Sequence, residues 1–380
     1  MTQRLIPAVF MRGGTSKGLF FRDRDLPADP ANRDALLLRA LGSPDPYGRQ
    51  LDGMGGGISS LSKAAIIGPP TRDDADIDYT FAQVAVDAPV VDYGSNCGNL
   101  SAAVGPFAVD ERLCARADGG ALVRIHNTNT GKVIHSTFAV CDGQAVVEGD
   151  LAIPGVPGAG APVRLDFFDP GGSRTGELLP TGEPVDVLDA GGARIRASLV
   201  DAANPLVIVA AAEVGLSGVE APAEIEARPG VMALLDQVRR EAGVRMGLGR
   251  APADVPLSIP KLAVVSAPQP FSTLAGEEIA ADAHDLAVRM LSMERAHRAV
   301  PVTGALCLGV ASRVPGTVLQ ELMSCSPGRD LRLGTPSGVV TVGADVEQRE
   351  GAPHAVSATL LRTARRLMQG AVAVPAGGRP

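Results

Sequence analysis

Three short segments carry residue types whose spacing could do chemistry. The first is Tyr93-Gly94-Ser95-Asn96-Cys97-Gly98-Asn99, followed by LSAAVGPFAV. It places a thiol between Asn and Gly turn residues at the start of a helix, where free backbone N–H groups and the positive end of the helix dipole converge. Both effects favour a thiolate, and both favour a bound carboxylate. The same residues also suit a small buried hydrophobe at a helix start, the common fate of a free cysteine. The second segment, DGMGGGISSLSKAAII at 52–67, has glycine at 53, 55, 56 and 57 and a lysine, Lys63, between small hydroxyl residues and a strand-like run. Its spacing fits neither G-x-x-x-x-G-K-[ST] nor G-x-G-x-x-G, so it is not read as a nucleotide loop. Partial burial would suit Lys63 to act as a general base, and the plainer reading is a strand-edge lysine with its amine in water. The third is Arg12-Gly13-Gly14-Thr15-Ser16-Lys17-Gly18. Two cations and two hydroxyls on flexible backbone could grip a carboxylate, and could equally form a solvated hairpin turn.

These segments need elements to hold them. Short apolar alternations broken by Gly and Pro (IPAVF, TFAQVAV, ALVRIHNT, STFAV) predict β-strands. Asp29-Pro30 supplies an N-cap and a first-turn proline for a helix through about Leu41. Pro229 opens a second helix that ends at Gly243, and a third is expected from Val356 to Met368, with Leu360, Leu361, Ala364 and Leu367 on one face. The Gly/Pro-dense stretch from Ile153 to Val163 is expected to be an irregular loop or stiff connection. A weak internal repeat pairs 9–21 with 198–209, each an apolar strand meeting a turn, and 93–109 with 299–316, each a small-residue helix entered from a turn.

The 380 residues contain 45% hydrophobic positions but no Trp and only 3% aromatics, so a folded chain with aliphatic cores, in about two domains, is expected. A net charge of −7 without a broad basic cluster argues against a nucleic-acid surface. Attraction for an anion must then be built locally. The start MTQRLIPAVF has too short an apolar run for a secretory signal, and no window reaches the roughly 18 apolar residues of a membrane span, so a cytoplasmic protein is expected. Five cysteines without a C-x-x-C pair and five scattered histidines predict free thiols and no metal.

Together, RGGTSKG, GMGGGISSLSKAAII, YGSNCGNLSAAVGPFAV, IHNTNTGK, FFDPGGSRTGELLPTG, DAANPLVIV and GTPSGVVTV resemble, in this order, the PrpF family, from residue 5 to about 370. The family has a diaminopimelate-epimerase-like fold and includes methylaconitate isomerases and 4-oxalomesaconate tautomerases. The resemblance implies an α/β (α+β) chain of two pseudo-symmetric halves, 1–185 and 186–380. Each half would wrap a curved, mostly antiparallel sheet round a central helix, with the site at their junction. It also implies that Lys63 and Cys97 are the acid/base pair. Amino-acid epimerases of this fold use two facing cysteines, but here the second-half motif reads Pro301-Val302-Thr303-Gly304-Ala305, and Cys307 falls inside the helix as a core residue. Racemisation is thereby disfavoured, and proton movement between two carbons of a conjugated acid is favoured.

The N–H groups of Asn96, Gly98 and Asn99 are then expected to bind one carboxylate, with Ser95 also substrate-binding, and Arg12, Thr15, Ser16 and Lys17 to bind another. Asn204, Ser337 and Gly338 would approach from the second half, and His297 would make a further contact. No cofactor is expected, because the conjugated substrate is its own electron sink. The expected partner is a small polycarboxylate, with no nucleic acid and no membrane, and the chain could form a homodimer. The segment His297–Val318 looks more like the oxalomesaconate branch, of gallate and protocatechuate degradation, than the 2-methylaconitate branch of propionate catabolism. A reading from another class is a non-catalytic accessory protein to an aconitase-like enzyme, against which the presence of both Lys63 and Cys97 argues.

Overall fold

A computed structural model describes residues 3–94, 96–324 and 329–375. The chain is mixed α/β with few helices, and it divides into two units. In the first unit, strand Gln3–Gly13 turns at Gly14-Thr15 and pairs antiparallel with Ser16–Arg22. Ser16–Arg22 runs parallel to Lys63–Gly68, which is antiparallel to Ile77–Val84. Ile77–Val84 is parallel to Gly119–Asn127, and that strand is antiparallel to Lys132–Cys141. Ala364–Pro375 returns to pair antiparallel with Gln3–Gly13.

Each parallel step needs a crossover, and a helix supplies it. The first is Pro30–Leu41, where Asp29 accepts from Asn32 N at 2.9 Å and Gly42 ends the helix in the left-handed region. Its Leu37 and Leu41 pack on Leu19, Phe21, Ala64 and Ile66. Each fully buried side chain of this size contributes about 1.5–3 kcal/mol. The second crossover is Gly98–Asp110, buried at every position from Gly98 to Val109. A helix without a polar face has to lie inside the unit, and Phe107 meets Phe20 at 5.4 Å between ring centroids.

The second unit repeats this order. Ala193–Asp201 is antiparallel to Pro205–Ala210, which is parallel to Lys261–Ser266 after helix Pro229–Arg245. Lys261–Ser266 is antiparallel to Leu286–Ser292, which is parallel to Leu331–Thr335 after helix Val302–Ala311. Gly338–Arg349 follows antiparallel, then Ala352–Arg362, while Asp186–Ala190 flanks Ala193–Asp201. The alternation antiparallel, parallel, antiparallel, parallel, antiparallel is the same in both units, so the faint sequence repeat marks a structural one. Both central helices are buried at every position but Asp110 and rich in small residues, which is why the repeat shows best there.

Two expectations change. The helix foreseen from Val356 to Met368 is replaced by strands Ala352–Arg362 and Ala364–Pro375. Leu360 is buried, but Leu361 and Leu367 are 45% and 43% exposed, the alternation of a strand and not a helical face. Pairing of each strand with a neighbour overrides local helix preference. The divide also falls between Leu165 and Asp166, not at 185/186, and the chain re-enters the first unit at Arg362 because its last strand joins Gln3–Gly13. The stretch from Ile153 to Val163 is irregular apart from a two-residue pairing of Ala159–Gly160 with Leu151–Ala152. Among the described residues, no helix is long and apolar enough to cross a membrane.

Candidate active site

Lys63 opens its strand directly after the glycine-rich loop, and it is 8% exposed. Its Nζ donates to Gln83 Oε1 at 2.8 Å and lies 4.8 Å from the centre of the Phe81 ring. Gln83 faces Lys63 across the antiparallel pair, and its Nε2 donates to Ser62 O at 2.9 Å and Ser59 O at 3.1 Å. The amide is thus pinned at its donor end with its oxygen turned to the lysine. Gln50 sets the loop itself: it donates to Ser62 Oγ at 2.7 Å and accepts from Gly57 N at 3.0 Å. Neither glutamine sits in a recognisable motif, and only strand register reveals Gln83.

Cys97 is the N-cap of the first central helix and is 8% exposed. Its carbonyl accepts from Ser101 N at 3.0 Å and Ser101 Oγ at 3.1 Å, and its side chain makes no capping bond. The thiol therefore stays at the positive end of the helix without being spent on it. The phenol of Tyr79, whose Oη is buried with no hydrogen-bond partner, is pushed well above its ordinary value, by burial first and then by neighbouring Cys97. Asn127 Nδ2 donates to Asn96 Oδ1 at 3.2 Å, and Asn129 Nδ2 donates to Tyr93 O at 2.8 Å. These two asparagines of the IHNTNTGK run hold the turn ahead of the thiol. Ser95 lies outside the described residues.

The segment 12–18 brings the other two together. Gly14, at φ +50°, has no room for a side chain: a Cβ there would lie 2.2 Å from Asn99 Oδ1. Thr15 N donates to that oxygen at 3.3 Å, and Asn99 Nδ2 donates back to Thr15 Oγ1 at 3.1 Å. Lys17 N donates to Ser60 O at 3.1 Å, which ties the hairpin to the loop before Lys63. Ser16 is buried and Gly98 begins the helix. Arg12 turns inward, its Nη1 donating at 3.0 Å to Gly14 O, Thr363 O and Thr363 Oγ1, so it fixes the turn. Lys17 Nζ stands 5.4 Å over Phe10.

A further cation that no sequence motif marks, Arg362, lies beside Asn99. Arg362 is 4% exposed, and its Nε donates to Asn99 Oδ1 at 3.4 Å. Burial lowers its pKa to about 10, which keeps it a cation at neutral pH. Only the return of the chain through Ala364–Pro375 brings it beside Asn99, and no local pattern signals that.

The second-unit residues lie as follows. Asn204 is buried in the turn before Pro205, with Nδ2 donating to Pro205 O at 2.9 Å. His297 N donates to Met290 O at 2.8 Å. Ser337 Oγ donates to Arg298 O at 2.5 Å, and Gly338 O accepts from Thr335 Oγ1 at 2.8 Å. Cys307 is fully buried, its Sγ bonded to Val200 O at 3.5 Å and its thiol pushed far up by burial, which makes it an inert core residue.

The family described as "PrpF protein" matches residues 3–375. The chain is 43% identical to the 3-methylitaconate isomerase of Eubacterium barkeri, covering 98% of each chain. It is 39% identical to the 4-oxalomesaconate tautomerase of Pseudomonas putida, covering 98% of this chain and 97% of that one. The solved structure of methylitaconate-delta-isomerase matches with a TM-score of 0.83 at 41% identity over the whole of both chains. A hydroxyproline epimerase from Agrobacterium vitis shares the fold alone, at 15% identity and a TM-score of 0.58 over 100% of this chain and 94% of that one. The chain belongs to the PrpF family, whose named relatives include isomerases of more than one substrate.

Proposed function

We propose that this chain moves a proton between two carbons of an unsaturated polycarboxylate and so shifts a C=C bond by one position. The observation that carries the reading is the hairpin 12–18, which ties the buried lysine of one segment to the helix start that bears the buried thiol. Removing a C–H proton next to a conjugated carboxylate leaves the electron pair in a dienolate. Delivering a proton to the far carbon forms the new C–H bond and relocates the double bond, with no net oxidation. Lys63 takes or gives one of these protons, and Cys97 either handles the other or steadies the dienolate. Carboxylates bind at the N–H groups of Asn96, Gly98 and Asn99, with Thr15 and Arg362 beside them.

For the substrate, the segment His297–Val318 supports 4-oxalomesaconate, and the 43% identity to a 3-methylitaconate isomerase supports a second reading in which 3-methylitaconate is the compound turned over. Proton NMR in D2O with 4-oxalomesaconate, 3-methylitaconate and 2-methylaconitate tests both. Rapid deuterium entry into one compound identifies it, and exchange in none sinks the isomerase reading. Lys63→Ala should slow that exchange by about 10²- to 10⁴-fold, and a near-normal rate would remove Lys63 from proton transfer.

A further inference from the structure

One rung of the first unit's sheet gathers three cations. Arg12 stands directly opposite Lys17 on one neighbouring strand and opposite Arg365 on the other. Residues opposite each other across antiparallel strands share a face, so the three side chains leave the sheet on the same side. A β-bulge completes the row. Phe10 faces Met368, but the register shifts before Met11, which faces Arg366, so Leu367 is passed over and Arg365 comes level with Arg12.

This face is the opposite one to that of Lys63. Two residues along from the rung, Phe10, Leu19 and Met368 belong to the core packed by helix Pro30–Leu41. The residues in between point the other way. A Cβ on Gly18 would lie 3.2 Å from Lys63 Cβ, and Arg366 Nη1 donates at 2.7 Å to Oε1 of Glu111, the residue after helix Gly98–Asp110.

Like charges directly opposite each other destabilise a sheet, and here two such pairs adjoin. Among the described residues none of the three side chains meets a carboxylate. Arg12 directs Nη1 to Gly14 O and to Thr363 O and Oγ1, Lys17 Nζ has the Phe10 ring at 5.4 Å, and Arg365 is exposed. Burial and then the charge of Arg365 lower the pKa of Arg12, so the cations act on one another. In a chain of net charge −7, such a row attracts an anion locally where the molecule as a whole does not. Two guanidinium groups and an ammonium side by side suit an oxyanion that carries more than one charge.

We propose that Arg12, Lys17 and Arg365 form an anion site, on the face of the sheet turned away from Lys63, that takes a small oxyanion of two or more charges. Phosphate and polycarboxylate groups share that chemistry, and the site does not depend on the proton-transfer reading. The test is calorimetric titration of the full chain with inorganic phosphate and, separately, with propane-1,2,3-tricarboxylate. Arg365→Gln should weaken binding of at least one probe about ten-fold or more, and Lys17→Gln should weaken it several-fold. Arg366→Gln removes the same charge one residue away on the opposite face, and should leave that dissociation constant within about two-fold. A loss confined to phosphate, or confined to the tricarboxylate, supports the site and identifies the ligand group, and a loss for both supports a site that reads charge alone. A natural chain that takes neither probe, constants unchanged within about two-fold in Arg365→Gln, or equal losses in Arg365→Gln and Arg366→Gln would each overturn it. The readout is binding and not turnover, so the outcome stands whether or not deuterium enters any of the three acids.

Discussion

At the scale of single residues, the site depends on groups whose partners fix them before substrate arrives. Gln83 is the clearest case, because its amide is locked by two carbonyls and presents one oxygen to Lys63. Gln83→Leu keeps the approximate volume and removes that acceptor. The expected result is a fall in kcat of about ten-fold or more with little change in KM, together with a displaced pH profile. An unchanged profile would make Gln83 a packing residue only. Arg362 makes a different prediction, since it would act on binding. Arg362→Met should raise KM by roughly ten-fold or more while the fold persists. In the natural chain, affinity should hold through neutral pH and fall only as pH rises through about 10, where burial has brought the guanidinium to lose its proton. The segments around Cys97 and Lys63 stand out in the sequence because each is an unusual run of glycines, hydroxyls and asparagines, and the family resemblance is what implies a role for the two residues. Gln83, Asn127 and Arg362 do not stand out, because only cross-strand register and the returning C-terminal strand bring them beside those segments.

At the scale of elements, the close approach of hairpin and helix is what makes the site possible. A Cβ on Gly13 would lie 2.5 Å from the Asn99 carbonyl oxygen, and one on Gly14 would lie 2.2 Å from the Asn99 side chain at a positive φ. Gly14→Ala should therefore destabilise the protein by about 1–3 kcal/mol and lower substrate affinity, because Asn99 must move and it carries both Thr15 and Arg362. Thermal melting and KM measured together check this, and a variant with natural values in both would mean the hairpin can yield. The helices Pro30–Leu41 and Pro229–Arg245 were readable because a capping residue or a first-turn proline announces them. The C-terminal strands look helical in the sequence because Leu360, Leu361, Ala364 and Leu367 happen to fit a helical spacing. What decides between the two is hydrogen bonding to Gly338–Arg349 and Gln3–Gly13, residues far away in sequence.

At the scale of the whole molecule, a chain of net charge −7 offers no general attraction to a polycarboxylate, so on the proposed function that attraction is left to local cations near the first helix start. The acidic groups have a consequence of their own for stability. Burial would raise the pKa of Glu111, Asp236 and Asp285, and in each case this is the largest single effect. Hydrogen bonds and charge from Arg366 and Arg22, from Arg240 and Arg239, and from Arg332 nonetheless combine to pull each one below its ordinary value. For such groups the unfolded chain binds protons first as pH falls. Their stabilisation is complete above the ordinary carboxylate values of 3.8 to 4.5 and is lost below them. His284 acts in a higher window. Buried, with Nδ1 facing Ala280 O at 3.2 Å, it has its pKa lowered from 6.5 chiefly by desolvation. The unfolded chain therefore takes up its proton as pH drops through 6.5 while the folded chain does not, and stability declines from there. Melting temperature measured in steps from about pH 8 to about pH 3.5 should thus show a shallow fall beginning near the ordinary histidine value and a steeper one below the ordinary carboxylate values. His284→Gln should remove the first fall and leave the second. A natural chain whose melting temperature stays flat until the carboxylate range would show that the buried imidazole makes no such contribution.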